Sequence, residues 1–182
     1  MKQSIFKTII LLSIIFISCS EKQDEEKTNK NADLHKIGNY FYAYFPQKPV
    51  FFDSIKNDTV DLTFYVYEDY DKLLFYNGSY GILTNSISKS KRIANLEGFV
   101  KGEVQSTKGH LIKSENIIID GENAIVFSYR YEASGYKRLK YKAVILLNNK
   151  IYGWGVHGVI DKSDQAAKDI FYSKLKFFEP IK

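Results

Sequence analysis

Apolar and polar residues alternate through most of this chain, the period of strands with two unlike faces. Tyr40 to Phe45 alternates two aromatic faces and stops at Pro46, so a first strand is expected there. Residues 50 to 55 and 59 to 67 form an expected hairpin about Asn57 and Asp58. Val60, Leu62, Phe64 and Val66 lie on one face of it, with Tyr65 and Tyr67 on the other. A strand from Leu73 to Asn77 follows, and Gly78 and Gly81 lead out of it. The period then changes. Ile93, Leu96, Val100 and Val104 recur at helical spacing between Ser86 and Gln105. Gly98 and Gly102 fall inside that stretch, so either the helix is short or the glycines let it approach a sheet closely. After Gly109 a strand runs to Ile119, and Asp120 and Gly121 turn the chain.

Residues 124 to 159 read as a three-stranded meander. A two-residue loop at Ser134 and Gly135 would set Tyr129 opposite Lys140 and Phe127 opposite Lys142, mixing core and solvent faces. A three-residue loop through Tyr136 is therefore expected. It pairs Tyr131 with Leu139, Tyr129 with Tyr141, Phe127 with Ala143 and Ile125 with Ile145, and sets Glu132 against Arg138. Asn148 and Asn149 suit a two-residue turn that sets Ile145 opposite Tyr152, Ala143 opposite Trp154 and Tyr141 opposite Val156. The second face then carries Arg130, Arg138, Lys140, Lys142, His157, Gly153 and Gly155.

The string GWGVHG, residues 153 to 158, has the spacing of a dinucleotide fingerprint but lies inside a strand with no helix opening behind it. Its glycines are read as places where a helix crosses the sheet, with a shallow ligand slot as the alternative. A last helix begins at Ser163, whose hydroxyl can cap it, with Asp164 near its positive end. Ala166, Ala167 and Ile170 supply small or apolar positions. Ser173 to Phe178 is either an extension of that helix or a closing strand.

The amino terminus is of another kind. Lys2 and Lys7 precede an apolar run from Ile9 to Ile17, the layout of an export signal, too short for the ~20 residues of a membrane span. The run ends in Phe16, Ile17 and Ser18 before Cys19, the only cysteine, and this resembles the lipobox of bacterial lipoprotein signals. Phe16 and Ile17 stand where that motif usually has leucine and a small residue. The resemblance implies lipidation of Cys19 after removal of residues 1–18, with several acyl chains giving a stable anchor. An ordinary cleaved signal with a leftover cysteine is the alternative. Residues 19–36 are then a polar tether reaching roughly 20–25 Å, and residues 37–182 one domain. Asp24, Glu25 and Glu26 resemble the signal that exports some lipoproteins to the cell surface. A merely solvating linker accounts for them as well.

Composition bounds the rest. Fourteen tyrosines and thirteen phenylalanines favour strands. The formal charge of +5 falls to about +4 for the domain, too mild and diffuse to indicate nucleic acid. His35, His110 and His157 lack metal-ligand spacing. Glu68, Asp69 and Asp71 lack the calcium-loop pattern, and no nucleophile elbow or phosphate loop is present. No catalytic residue, metal or cofactor is assigned.

The stretches YFYAYFPQKP, IIIDGENAIVF, LLNNKIYGW and KDIFYSKLKF, in this order, resemble the PsbP-like family. That family comprises the extrinsic photosystem II subunit and many bacterial lipoproteins, and its fold is shared by a eukaryotic Ran-binding factor. The resemblance implies an α+β fold, an antiparallel sheet flanked by helices, and no shared catalytic motif. The expected function is therefore a non-enzymatic, envelope-anchored accessory module that contacts another protein. It would sit at the outer membrane, facing the periplasm or the surface, with Arg130, Arg138, Lys140, Lys142 and His157 as its candidate contact strip. Binding of a small ligand or glycan by the tyrosine-rich faces of residues 40 to 44 and 65 to 67, near Trp154, is the alternative. An enzyme is third.

Overall fold

The computed structural model describes residues 33–181. The leader and Cys19 lie outside these residues, as does the tether to residue 32. Seven strands form one antiparallel sheet: β3 (Val50–Lys56), β4 (Val60–Asp69), β5 (Leu74–Leu83), β6 (His110–Ile119), β7 (Glu122–Ala133), β8 (Tyr136–Leu147) and β9 (Lys150–Val159). Their spatial order is β3-β4-β5-β9-β8-β7-β6. Two meanders thus meet at the β5–β9 pair, and helix α1 (Arg92–Ser106) carries the chain from the middle of the sheet to its far edge. A small sheet of β1 (Leu34–Ile37), β2 (Phe41–Tyr44) and β10 (Glu179–Pro180) and helix α2 (Asp164–Lys174) complete the domain. This is the expected α+β class.

Alternation along the strands divides the core into two layers. Ala124, Val126, Ala143, Ile145 and Trp154 face α2 and the small sheet, where they meet Phe41, Phe45, Phe171 and Phe178. Trp154 is wholly buried, its ring 5.3 Å from that of Phe171 and its indole N–H donating to the Tyr44 carbonyl at 2.9 Å. Ile125, Phe127, Tyr129, Val144 and Leu146 point the other way and meet Leu96, Val100 and Val104 of α1. Among the described residues both clusters are built from this one compact unit, which begins at Leu34.

Several expectations shift. The domain begins at Leu34, inside the stretch assigned to the tether: Leu34–Ile37 pairs with Phe41–Tyr44 because Ile37 has a fully buried seat there. β5 runs on through Gly78 and Gly81 rather than ending before them. A side chain at either would meet Phe45 or Leu62, so these glycines accommodate packing, not a turn. Gly98 and Gly102 lie on the open side of a full-length α1, where a Cβ would meet nothing within 4 Å. Close approach is therefore not their role.

The meander divides the same way. The Asn148–Asn149 turn gives the expected register, Ile145 with Tyr152, Ala143 with Trp154 and Tyr141 with Val156, and Asn148 takes φ 55°. The β7–β8 turn corrects the expectation. It is the two-residue loop, with Ser134 at φ 54° and Gly135 at φ 75°, and it sets Tyr129 opposite Lys140, Phe127 opposite Lys142 and Glu132 opposite Lys137. The expected clash of faces does not arise, because the face that bears the lysines is covered by α1.

Beyond β9, Ser163 does not cap α2. Its hydroxyl donates to the Leu73 carbonyl at 2.7 Å and accepts from Val159 N–H at 2.9 Å, tying three segments together. Residues 175 to 177 then add a short helical turn after α2.

Candidate functional site

Lys140 and Lys142 alternate with Tyr141 on β8, so both point toward α1. Glu103 sits one turn beyond Phe99 and Val100 on α1 and points back at them. Its Oε1 accepts from Lys140 Nζ at 2.9 Å and from Tyr129 Oη at 3.1 Å, and its Oε2 accepts from Lys142 Nζ at 2.6 Å. All three charged side chains are largely or wholly withdrawn from solvent, Lys142 to 2 %. Burial alone would raise the Glu103 carboxyl's pKa, but the two ammoniums hold it far below the usual carboxylate range. For Lys142, burial outweighs the attraction of Glu103, and with repulsion from Lys140 it brings the amine down to about 8. Lys140 moves the other way: burial lowers it most of any single cause, but the charge and hydrogen bond of Glu103, together with Tyr129 and Tyr131, outweigh that desolvation.

Glycines make room for this cluster. A Cβ on Gly153 would stand 2.8 Å from Lys142 Cε, and one on Gly155 would stand 3.2 Å from Lys142 Cβ. The GWGVHG string thus acquires a structural account. Gly153 lets the Lys142 stem lie flat across β9, Gly155 fits against the Tyr141 carbonyl oxygen, 2.7 Å from where its Cβ would stand, and Gly158 admits the start of α2, where a Cβ would come within 2.4 Å of the Ser163 carbonyl oxygen. The expected helix crossing occurs at Gly158 only.

The remaining members of the candidate strip part company. His157 and Arg138 share the lysines' face. His157 Nδ1 and Tyr131 Oη share a hydrogen bond of 2.5 Å, and the Arg138 guanidinium lies 4.0 Å over the Phe75 ring. Burial, then the charges of Lys140 and Arg138, keep the imidazole neutral. Arg130 falls on the opposite face, opposite Leu139, and is exposed. The five residues are therefore no continuous exposed strip, since Lys140, Lys142 and His157 lie beneath α1 or inside the sheet.

Helix α1 covers β6, β7 and β8 and stops short of β3 and β4. The uncovered half-face forms a cleft of about 490 Å³, walled by Phe52, Ile55, Leu62, Phe64, Val66 and Phe99 and reaching down to Glu103, Lys140 and Lys142. Phe52 stands 66 % exposed at its rim, and Gly102 lies along the helical side. Asn77 also lines the cleft, and its buried Oδ1 has no hydrogen-bond partner among the described residues. Apolar walls with a few convergent polar groups are the usual make-up of a small-molecule site.

Elsewhere the acidic loop uses its charges internally. Glu68 accepts from the Tyr70 hydroxyl, and Asp69 pairs with Lys72 at 3.1 Å. The described residues hold no group of three or more metal-ligating side chains. Of the tyrosine-rich faces, Tyr40, Tyr44, Tyr65 and Tyr67 pack half-buried against the α2-side core and Tyr42 is exposed, while Trp154 is wholly buried and presents no ring to solvent beside them. Sequence reasoning missed Glu103 and Asn77. Glu103 was discernible, because it falls three residues after Val100 and seven after Leu96, a charge on the helix's apolar stripe.

No family model matches the chain, and no curated protein matches it. Solved structures do. The cyanobacterial PsbP protein of Synechocystis superposes with a TM-score of 0.56 at 17% identity, over 82% of this chain and 94% of that one. This chain has a PsbP-like fold. LpqN of Mycobacterium tuberculosis, described as involved in cell envelope biogenesis, superposes with a TM-score of 0.51 at 15% identity, over 76% of this chain and 87% of that one. At these identities the likeness of the PsbP-like domain is one of fold. No described helix of the domain is long and apolar enough to cross a membrane.

Proposed function

We propose that this PsbP-like chain is a non-enzymatic accessory lipoprotein, held at the cell envelope through Cys19, that works by binding a small ligand in the cleft between α1 and β3–β4. The observation that carries this reading is the cleft itself, where apolar side chains left in solvent surround a buried charged floor. The charged groups of the floor are engaged with one another. The export-signal layout and the cysteine behind it support the anchor. That LpqN, a protein of like fold, takes part in envelope biogenesis agrees with the location.

Two measurements test the reading. Replacement Cys19→Ser is expected to release the chain from the membrane fraction, and retention would refute the anchor. Protease digestion of intact cells then separates outward from periplasmic display. For the cleft, Gly102→Trp places a large ring where a Cβ has open space. Wild-type protein recovered from its own envelope should yield a small molecule by mass spectrometry that the Gly102→Trp protein lacks. Identical extracts would refute the cleft as the binding site.

A protein partner is the second reading, and the edge strand favours it. Val50 and Phe51 on β3 stand exposed beside unpaired backbone groups. A photo-crosslinker at residue 51 that gives a discrete adduct in cells, with none from residue 172, would support it.

A further inference from the structure

The cleft floor is not electrically complete. Lys140 and Lys142 bring two positive charges to one carboxylate, and these side chains retain only 2–13 % of their exposure. A buried charge without a counter-charge costs several kcal/mol by general experience, and proteins normally pair it. Among the described residues the Glu103 carboxylate is the only anionic group hydrogen-bonded to either ammonium. Each ammonium has three donors, and the Glu103 bond uses one on each.

The walls set the other half of the specificity. Phe52, Leu62, Phe64 and Phe99 offer hydrocarbon and aromatic surface to whatever sits above the floor, and the one carboxylate of the wall, Asp53, is exposed and accepts from the Ser54 N–H at 2.7 Å. A phosphate or free sugar leaves those walls wet, and a neutral lipid leaves the floor's charge unmet. The excess of the buried floor, exposed Asp53 at the wall aside, is a single charge, so a monoanion balances it and a dianion overshoots.

Resting on the cleft as binding site, we propose that its ligand is a monoanionic single-chain amphiphile, a carboxylate whose head meets Lys142 and Lys140 and whose alkyl tail lies along Phe64, Phe99 and Phe52. Gly153 belongs to this site as well, because it lets Lys142 lie low enough to leave space above it.

The experiment is calorimetry on the chain from Ser20 onward, which contains the whole compact unit with both clusters, with octanoate, 1-octanol and acetate below micelle-forming concentrations at pH 7. Octanoate is expected to bind about tenfold or more tightly than octanol, and acetate not measurably, since a charge-assisted hydrogen bond adds strength that a neutral head lacks. Lys142→Met leaves the Lys140–Glu103 pair balanced. It should weaken octanoate about tenfold while leaving octanol unchanged, with a thermal melt confirming the fold. Equal binding of octanoate and octanol, or octanoate binding indifferent to Lys142→Met, overturns the inference but leaves a cleft that binds small molecules. Binding by neither overturns the inference, while the envelope extract decides the broader reading separately. Octanoate binding seen only after residues 20–32 are removed also overturns it, and identifies the acidic tether as the occupant.

Discussion

Gly153 lies diagonally across from Lys142 near the centre of the large sheet, and a methyl group on Gly153 would stand 2.8 Å from Lys142 Cε and equally close to Ser79 Oγ. The lysine stem could swing aside only by leaving Glu103, 2.6 Å from its ammonium. Gly153→Ala is therefore expected to cost about 1–3 kcal/mol. Gly158→Ala should cost more. There the obstructing atoms are the Ser163 carbonyl carbon and oxygen, at 2.5 and 2.4 Å, and backbone yields less than a lysine tail. Urea denaturation of the two variants would reveal the order, and the opposite order would show that the α2 start is adaptable.

Helix α1 supplies the contrasting case. Gly98 and Gly102 have open space where a Cβ would go, so alanine meets no obstacle and gains helix propensity. Gly98→Ala and Gly102→Ala are each expected to stabilise by about 0.5–1 kcal/mol. A loss of stability in either would mean that α1 makes a packing contact at that position, toward the cleft in the case of Gly102.

The buried triad answers differently to each removal. Glu103→Gln strands two ammoniums and should destabilise by about 3–5 kcal/mol. Lys142→Met removes the surplus cation, fills the same groove with hydrocarbon, and is expected to leave stability unchanged or raise it by about 1–3 kcal/mol. Thermal melts of the two proteins at pH 7 make the comparison. Equal losses would indicate that Lys142, not Lys140, is the principal partner of Glu103.

This triad also marks where sequence reading stops. The Asn148–Asn149 register follows from alternation, because every residue flanking that turn sorts cleanly into apolar or polar. The Ser134–Gly135 register does not, because two lysines on an inward face look like solvent residues until their partner is known. That partner lies 37 and 39 positions away on a helix, a separation at which no local period operates. Strand order across the β5–β9 junction is hidden for the same reason. The fold class and most strands were legible from local period. The cleft was not, since it arises from where α1 ends relative to β3 and β4.

Stability should rise with pH from acid to mildly alkaline solution, and His157 begins the trend. Its imidazole is held well below 6.5 by burial and by Lys140 and Arg138, with Glu103 opposing; Tyr131 and Phe75 complete its surroundings. As pH falls through about 6.5 the unfolded chain takes up a proton that the folded chain refuses, so stability declines. Glu103 adds a second decline below about 4.5, where the unfolded carboxyl protonates and the folded one, held far lower, does not. Lys142 acts on the alkaline side. Between its folded value of about 8 and the ordinary 10.5, the unfolded chain holds the extra proton, so stability still rises with pH there. Above about 10 the tyrosines and Lys140 reverse the slope, because Tyr76, Tyr129 and Lys140 keep their protons in the folded state. Urea midpoints between pH 5 and 11 should therefore peak near pH 9–10, with a slope of up to about 1.4 kcal/mol per pH unit for each titrating group. His157→Gln removes a group that can charge and should flatten the curve between pH 5 and 6.5 while leaving the lower decline in place. A curve unchanged by that substitution would mean that the imidazole finds water and titrates normally in the folded protein.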